Sequence, residues 1–463
     1  NPIIEHVYLG TDVKDKNVAF NETIKIFKEV GLPRPEHIFD SYPHQISGGQ
    51  RQRVMIAIAI ACKPDILIAD EPTTALDVRI QKKIIDLLKN LQKKYNMSII
   101  MISHNLGIIR EIADYVVVMK YGKVVETGDV SSVFSNPKHP YTMGLLACRP
   151  PLHSKLKFLP TVEDIEEKTA KIPDFSIDSY IETLKLPVAD TKMGAVNVIA
   201  DDVSKHLDDA EILKVNNLVV RYAKHFNFFG NPNDFVYAVN DVSFKIRFGE
   251  TLGILGESGC GKSTIAKTIC NLLKPFSGEI LFDNVDILKL HSKKRKLLCE
   301  KIQMVFQDPY SSLNPKITVG EALIEPLKVH NILDNYNQRK EKVLYLMSKV
   351  GLSPSDFYKY PYEFSGGQRQ RICIARALTL DPKLLICDEP VSSLDVSVQA
   401  KVLNLLQQLK EDFNLSMLFI THDIAVVNHV ADNVIIMKNG IIVEENTPFN
   451  IIENSQNEYT KSL

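Results

Sequence analysis

The chain has 463 residues, of which 45% are hydrophobic and 24% charged. This length exceeds one ordinary domain, and the apolar content excludes global disorder. A formal net charge of −1 argues against a nucleic-acid coat or a polybasic membrane anchor. No uninterrupted apolar run approaches the roughly 18 residues that span a bilayer. Seven cysteines without a C-x-x-C pair are typical of a reducing compartment rather than a disulfide framework.

The first motif along the chain is an S-G-G-Q sequence, formed by Ser47, Gly48, Gly49 and Gln50. It precedes a helix predicted over residues 51–62. A small hydroxyl and two glycines at a helix N-terminus suit an anion such as a phosphate group. A plain N-cap is an equally good interpretation of a single copy.

Two acidic residues, Asp70 and Glu71, end a short apolar run, and Asp77 lies in the turn that follows. His104 follows a second apolar run. In isolation, a strand-end Asp-Glu pair is as often a solvated cap, and a lone histidine is more often a structural hydrogen-bonding residue. These residues indicate a functional site only because the same pattern recurs later in the chain.

Residues 151–210 differ in composition from the segments on either side. They are rich in acidic residues and contain four scattered prolines, which predicts a partly extended connector with one short helix near residues 179–184. A stretch of this kind is typical of a linker or docking arm rather than of a compact domain.

A phosphate-binding loop is predicted after the apolar strand at 252–255. The sequence from Gly256 to Ser263 matches G-x-x-x-x-G-K-[ST] and runs into a predicted helix. Glycines let backbone N–H groups turn towards phosphate oxygens, Lys262 adds a positive charge, and Ser263 supplies a hydroxyl for Mg²⁺. A glycine-rich turn without a ligand is the alternative. The candidate nucleotide-binding residues here are Gly256, Ser258, Gly259, Cys260, Gly261, Lys262, Ser263 and Thr264.

Cys260 lies inside this loop, next to Lys262 and a helix N-terminus. Both features favour a thiolate, so the sequence predicts a lowered pKa for this thiol. We expect thiol-alkylating reagents to inhibit the protein and bound nucleotide to protect it.

Further candidates follow in the last third of the chain. Asp388 and Glu389 end a second apolar run; Asp388 would hold Mg²⁺ through water, and Glu389 would orient or deprotonate the attacking water. His422 would contact the γ-phosphate, although a structural role is the alternative. Gln307 on its own is an ordinary loop amide. A second S-G-G-Q consists of Ser365, Gly366, Gly367 and Gln368.

These motifs belong to an internal repeat with a constant offset of 318 residues. Residues 41–82 and 359–400 are identical at just over half of their positions. So long a period indicates duplicated domains rather than a solenoid. We expect a first domain over 1–150 that lacks its N-terminal part and its phosphate-binding loop, an acidic linker over 151–210, and a complete second domain over 211–463.

In this order, the motifs resemble the ATPase domain of an ABC transporter. Residues 306–315 and the tail at 136–142 are similar to the oligopeptide and dipeptide importer branch, so the chain resembles a fused pair of its ATPase subunits. The resemblance implies an α/β fold with two P-loop NTPase domains. Each would contain a mainly parallel core sheet, an antiparallel β subdomain and a helical subdomain.

In this family the domains pair head to tail, so each P-loop faces the S-G-G-Q of its partner. The resemblance therefore implies that the loop at 256–263 closes over ATP against Ser47–Gln50 and Asp77. It implies catalytic roles for Glu389, His422, Gln307 and Lys262. It implies that Ser263, Gln307 and Asp388 bind Mg²⁺. It also implies that the adenine ring stacks on Tyr222; an exposed strand tyrosine without this role is the alternative. An incomplete second site would comprise Asp70, Glu71, His104, Ser365, Gly366, Gly367 and Gln368.

The resemblance also implies a function and partners. The chain would be the ATP-hydrolysing, energy-coupling subunit of an importer for peptides or related small solutes. It would associate with two transmembrane permease subunits and a solute-binding protein, not with nucleic acid. We expect it in the cytoplasm, peripheral on the inner face of the cell membrane. The alternatives are a soluble tandem ABC ATPase that acts on ribosomes or DNA, and a truncated fragment that folds poorly.

Overall fold

The computed structural model describes residues 16–73, 78–172, 175–186, 210–226 and 232–463. The chain divides into two compact units, residues 1–142 and 143–463. Across the described ranges, none of the helices has the length and apolar character needed to cross a membrane. The domain limits 1–150, 151–210 and 211–463 stay predictions.

The first unit combines a parallel strand pair, an antiparallel strand pair and several helices. The strands β1 and β2 are parallel, with Asp70 paired with Ile102, and β3 and β4 are antiparallel. Alternate residues of β1 are exposed. The elements in chain order are α1 Lys16–Glu29, α2 Pro35–Phe39, α3 Gly48–Ile60, β1 Ile66–Asp70, α4 Val78–Tyr95, β2 Ser98–Ile102, α5 Leu106–Ile112, β3 Tyr115–Lys120, β4 Lys123–Asp129, α6 Val130–Ser135 and α7 Pro140–Ala147.

Among its described residues, the connector has two helices, α8 Val162–Lys171 and α9 Ile177–Leu184. The second matches the short helix predicted near residues 179–184, but the first was not predicted. Thr161 begins α8 with a capping box, in which its side chain accepts from the Asp164 N–H and the Asp164 carboxylate accepts from the Thr161 N–H. This reciprocal cap satisfies two backbone donors at the helix start, and it was the sequence signal that the composition argument overlooked.

The second unit contains two sheets and a helical segment. Its remaining elements are β5 Glu211–Phe226, β6 Pro232–Arg247, β7 Thr251–Gly256, α10 Lys262–Ile269, β8 Ser277–Phe282, β9 Val285–Asp286, α11 Ser292–Lys301, β10 Ile302–Val305, α12 Pro309–Ser312, α13 Val319–Val329, α14 Tyr336–Lys349, α15 Gly366–Leu378, β11 Leu384–Asp388, α16 Val396–Asp412, β12 Ser416–Thr421, α17 Ile424–Val430, β13 Asn433–Lys438, β14 Ile441–Asn446, α18 Pro448–Asn454 and α19 Glu458–Lys461. Within the described residues, short 3₁₀ helices also occur at Pro43–Gln45 in the first unit and at Ile287–Lys289, Pro354–Tyr358 and Pro361–Glu363 in the second.

The core sheet of the second unit has the strand order β10-β11-β12-β7-β13-β14. All adjacent pairs are parallel except β13 and β14. Every residue of β7, β11 and β12 is buried, as expected for parallel strands covered on both faces. The carboxyl ends of these three neighbouring strands lie at one edge of the sheet, which is where parallel sheets bind ligands.

A second, antiparallel sheet has the order β6-β5-β8-β9. Its buried residues share one apolar core with the parallel sheet; for example, Val215 and Val242 belong to the same cluster as Ile254 and Ile386. The helices α12 to α15 lie between β10 and β11 in sequence. A mainly parallel core sheet, an antiparallel sheet and a helical segment confirm the α/β class expected from the sequence.

Candidate functional site

The predicted phosphate-binding loop connects β7 to α10, in the strand–loop–helix arrangement that the sequence indicates. Gly259 and Gly261 have φ angles of +82° and +109°, which side chains other than glycine rarely adopt. A Cβ atom on Gly261 would lie 2.1 Å from the carbonyl oxygen of Ala238. The glycines therefore allow both the turn and the close approach of neighbouring backbone, so this loop suits a phosphate chain.

Lys262 is the first residue of α10, and its side chain is buried. Its Nζ atom donates to the carbonyl oxygens of Gly256, at 2.6 Å, and Glu257, at 2.9 Å. These contacts fold the ammonium group back over the loop instead of leaving it in solvent. A positive charge is thus held beside backbone that can present N–H groups, the combination that binds nucleotide phosphates.

Ser263 and Asp388 join the loop to the end of β11. The Ser263 Oγ atom donates to Asp388 Oδ1 at 2.9 Å. Burial raises the pKa of the Asp388 carboxyl, although the Ser263 hydrogen bond opposes this effect. A hydroxyl and a carboxylate are hard oxygen donors of the kind that Mg²⁺ prefers, so the pair fits the predicted metal-binding role.

Glu389 has a left-handed backbone conformation, with φ of +48°, which is uncommon outside glycine and often marks functional positions. Its N–H donates to the Ile420 carbonyl oxygen of β12 at 2.9 Å. Its Oε2 atom lies 3.2 Å from both Gln307 Nε2 and His422 Nδ1. The structure therefore brings together three of the predicted catalytic residues, which come from three separate segments.

Glu389 and His422 each stabilise the charged form of the other. Burial alone would raise the pKa of Glu389, but the hydrogen bond with His422 and the positive charges of His422 and Lys262 lower it below its ordinary value. The hydrogen bond to Glu389 raises the pKa of His422 above its ordinary value, against the effect of burial. An ionised carboxylate and a protonated imidazole are the forms that this pair favours.

The first unit contains a matching pair, Glu71 and His104. Glu71 also has a left-handed φ, +46°, and its N–H donates to the Ile102 carbonyl oxygen at 2.9 Å. The Glu71 Oε1 atom lies 2.8 Å from His104 Nδ1 and accepts from the His104 N–H at 3.1 Å. Asp70 ends β1. The acid and the histidine of the first unit are thus in contact, as Glu389 and His422 are.

Each histidine is followed by a helix cap, and the two caps differ only in chemical type. Asn105 Oδ1 accepts from the Gly107 N–H at 3.0 Å, and Asp423 Oδ1 accepts from the Ala425 N–H at 2.8 Å. Either side chain satisfies an N–H group of the first helical turn. The Asn–Asp difference between the repeats therefore leaves the local fold of this loop unchanged.

Both S-G-G-Q sequences form reciprocal helix caps. The Ser47 and Ser365 hydroxyls accept from the N–H groups of Gln50 and Gln368, each at 3.3 Å, and the glutamine side chains accept back from the serine N–H groups. The helices begin at Gly48 and Gly366, three residues earlier than predicted. Both serines are exposed, so the N-cap interpretation is correct and each cap remains accessible to a ligand.

Tyr310 contributes a contact that sequence reasoning missed. The guanidinium carbon of Arg369, in the first turn of α15, lies 4.0 Å from the centroid of the Tyr310 ring. Tyr310 is three residues beyond Gln307 and remains 59% exposed. This stacking connects the glutamine loop to the S-G-G-Q helix of the same unit. Both residues lie in or beside motifs that the sequence shows, but no sequence signal indicates that the two side chains contact each other.

The remaining predicted site residues have less specific surroundings. Tyr222 lies in β5 opposite Val236 and is 44% exposed, so a ring face is accessible, but its role in adenine stacking stays a prediction. Ser258 is exposed and Thr264 is partly buried in α10. Asp77 lies outside the described residues.

The sequence predicted a lowered pKa for the Cys260 thiol, and this direction was wrong. The side chain is buried, and burial raises the pKa of the thiol despite the nearby positive charge of Lys262. A thiolate in a buried position loses more hydration than this single charge restores. Sequence reasoning weighed the helix terminus and the lysine but had no measure of burial.

Two family models match parts of this chain. The family model described as "ABC transporter" matches residues 5–74 and 239–392, and "Oligopeptide/dipeptide transporter, C-terminal region" matches residues 125–175. The glutathione import ATP-binding protein GsiA of Pectobacterium atrosepticum is 43% identical over 451 residues, covering 97% of this chain and 68% of that protein. The protein of the same name from Escherichia coli K12 is 43% identical over 445 residues, with 96% and 68% coverage.

The chain is also similar to solved structures. One is the dimeric post-hydrolysis state of the ATP-binding cassette MJ0796 bound to ADP and Pi, which is 30% identical in sequence, with a TM-score of 0.46 over 51% of this chain and 98% of that chain. Another is cbiO1 from Clostridium perfringens, also with 30% identity and a TM-score of 0.46, over 53% and 92%.

The phosphate-binding loop, the paired acid and histidine and the S-G-G-Q caps define a P-loop ATPase with an ABC-type signature. The chain belongs to the ABC transporter family, in its oligopeptide and dipeptide branch. It is therefore an ATP-binding protein and an ATPase, as the resemblance implied. Nothing in the comparisons supports the alternative that acts on ribosomes or DNA.

Proposed function

We propose that the chain is the energy-coupling subunit of an importer for peptides or related small solutes. The relatives named above are glutathione import ATP-binding proteins, and the segment 125–175 matches the C-terminal region of oligopeptide and dipeptide transporters. Transmembrane helices for the solute would come from two separate permease subunits, and a solute-binding protein would deliver the solute. The chain would sit at the inner face of the cell membrane.

The observation that carries this proposal is the convergence of Gln307 and His422 on Glu389. Glu389 would orient the attacking water and accept its proton, and His422 would hold the carboxylate in place and contact the γ-phosphate. Lys262 would bind the β- and γ-phosphates. Gln307 would transmit changes in this nucleotide site to the permease subunits.

Mg²⁺ would be held by the oxygens of Ser263, Asp388 and Gln307, where it would offset the negative charge of the phosphates. Tyr222 would stack on the adenine ring. These assignments rest on the strand ends that meet at one sheet edge and on the Ser263–Asp388 hydrogen bond. The remaining coordination would come from phosphate and water.

We further propose that ATP bound to residues 256–263 is covered by Ser47, Gly48, Gly49 and Gln50 of the first repeat, with Asp77 nearby. Support comes from the family resemblance and from the exposed N-cap that Ser47 forms. The incomplete site would use Asp70, Glu71, His104 and the second S-G-G-Q. Ser47→Arg should therefore reduce turnover strongly, because a large cation would replace the cap. The matched control, Ser365→Arg, should reduce turnover less, and equal losses would contradict this arrangement.

The transport function is tested by co-expression with candidate permease subunits and reconstitution into vesicles. We expect the chain to co-purify with them and to drive ATP-dependent uptake of a labelled dipeptide or of glutathione. Lys262→Ala is the control that should abolish uptake. Steady ATPase activity without permease association, together with co-purification of ribosomes, would favour the soluble alternative instead.

A further inference from the structure

The connector is bound to the second unit by a side-chain amide. Asn428 Nδ2, in α17, lies within hydrogen-bond distance of three carbonyl oxygens, those of Pro151 at 3.3 Å, Leu152 at 3.0 Å and Ser154 at 3.2 Å. One amide thus contacts three backbone acceptors within four consecutive residues. We call residues 151–165 the strap.

A second asparagine binds the strap from α16. Asn404 Oδ1 accepts from the Leu159 N–H and Asn404 Nδ2 donates to the Leu159 carbonyl oxygen, both at 2.8 Å. Both backbone groups of this strap residue are therefore satisfied by one side chain, much as a neighbouring β-strand would satisfy them. Lys155 Nζ adds a hydrogen bond to the Ala431 carbonyl oxygen, just after α17, at 3.1 Å.

Apolar side chains anchor the same segment. Leu156, Leu159, Val162 and Ile165 are all buried. The strap also pairs with the end of α9: the Lys157 N–H donates to the Leu184 carbonyl oxygen and the Leu186 N–H donates to the Lys155 carbonyl oxygen, each at 2.9 Å. The strap is therefore an ordered part of the second unit rather than a loose tether.

The two helices that contact the strap both begin close in sequence to residues of the candidate site. Asp395, the counterpart of Asp77, is the N-cap of α16, and α17 begins two residues after His422. Every residue of α17 from Ala425 to Val430 is buried. A segment fixed to both helices therefore limits how far His422 can move relative to Asp395.

The first repeat lacks the residues that would make these contacts. At the 318-residue offset, Asn404 corresponds to Asp86 and Asn428 to Arg110. A carboxylate only accepts, so Asp86 has no donor to match the one that Asn404 offers to the Leu159 carbonyl oxygen. A guanidinium donates, as Asn428 does, but it is larger and charged, whereas Asn428 is buried. In the corresponding helix α5, the only buried residue is Ile108. Strap binding is thus a property of the second repeat.

We propose that Asn404 and Asn428 are positioning residues. They hold the strap across α16 and α17 and thereby keep the His422 side chain in contact with Glu389. This inference rests on the proposed roles of His422 and Glu389 in hydrolysis.

The test exchanges the second-repeat residues for those of the first repeat, in Asn404→Asp and Asn428→Arg, within the full chain. We expect faster hydrogen exchange in residues 151–165 and a kcat for ATP hydrolysis lower by roughly 5- to 10-fold, with KM for ATP unchanged because the phosphate-binding loop is not touched. Asn428→Gln, which keeps an amide, should recover part of kcat. The matched control, Arg110→Asn in the first repeat, should leave both readouts unchanged.

Lys155→Met gives an independent test that keeps the apolar stem and is expected to fold. It should raise exchange at the strap and lower kcat in the same direction by a smaller factor. Unchanged exchange in all variants would overturn the binding of the strap, and raised exchange with full kcat would overturn its positioning role. A parallel rise in KM would also overturn it, as the effect would then extend to nucleotide binding. A wild-type chain without ATPase activity would instead refute the proposed function.

Discussion

The Nδ1 atom of His422 lies 3.2 Å from Oε2 of Glu389, and this contact joins the carboxyl ends of two neighbouring strands, β12 and β11. Glu389 is further fixed by a hydrogen bond from its own N–H to β12. The carboxylate is therefore oriented by its backbone and by a neighbouring side chain. Preorganisation of this kind is what phosphoryl transfer requires from a protein.

Replacing Glu389 with Gln should lower ATP turnover by about 100-fold or more, because the amide keeps the shape of the carboxylate but cannot accept a proton. ATP binding should persist, since Lys262 and the phosphate-binding loop are unchanged. Turnover is measured by phosphate release and binding by equilibrium dialysis. Glu71→Gln, the equivalent change in the first unit, is the matched control and should have a smaller effect. Near-normal turnover of the Glu389 variant would show that another group activates water.

Gly367→Ala should destabilise the second unit. A Cβ atom at this position would lie 2.1 Å from Val398 Cγ1 of α16, so α15 and α16 would have to separate. Overpacking of this type costs about 1–3 kcal/mol of unfolding free energy. Gly366→Ala is the control, because its nearest neighbour would be 3.7 Å away. Denaturant unfolding of both variants measures the difference, and equal stabilities would contradict the close contact.

Cys260 should react slowly with iodoacetamide near neutral pH, because its thiol is buried and its pKa is raised. Cys62 is exposed and should be labelled first. Bound ATP should slow the labelling of Cys260 further, while leaving Cys62 unaffected. Peptide mass spectrometry after timed labelling follows both sites. Faster labelling of Cys260 than of Cys62 would instead support a lowered pKa for the Cys260 thiol, as the sequence predicted.

His429 should make the protein less stable in acid. Burial, with a smaller effect of Lys155, lowers the pKa of His429 to about 3, and within the described residues neither ring nitrogen has a hydrogen-bond partner. The unfolded chain takes up a proton near pH 6.5, whereas the folded chain does so only near pH 3. Stability is therefore lost as pH falls from about 6.5, by up to about 1.4 kcal/mol per pH unit.

His429→Leu removes this titration, so its unfolding free energy should fall less than that of the wild type between pH 7 and pH 4. The two proteins should show parallel pH dependence above pH 7, where the histidine is neutral in both states. Urea unfolding at several pH values provides the comparison. Identical pH dependence of both proteins throughout would show that the buried imidazole is not the cause.

Local sequence signals predicted several of the elements that carry the candidate site residues. The phosphate-binding loop, the strand that ends at Asp388 and the S-G-G-Q caps each depend on residues that are close in sequence, so their geometry follows from short-range sterics and hydrogen bonding. The internal repeat then related Glu71 to Glu389 and His104 to His422. Helix boundaries were less accurate, since the prediction omitted the glycines from the first turn of α15.

The amino-acid sequence by itself determined the family and the α/β class, and it predicted the acid, the histidine and the phosphate-binding residues, because each lies in a short motif with fixed chemistry. Only the tertiary structure decided the burial of Cys260, the stacking of Tyr310 on Arg369 and the binding of the strap by Asn404 and Asn428. These features depend on residues brought together across 59 to 277 positions of chain, and contacts over such separations follow from how the whole unit packs rather than from any local pattern.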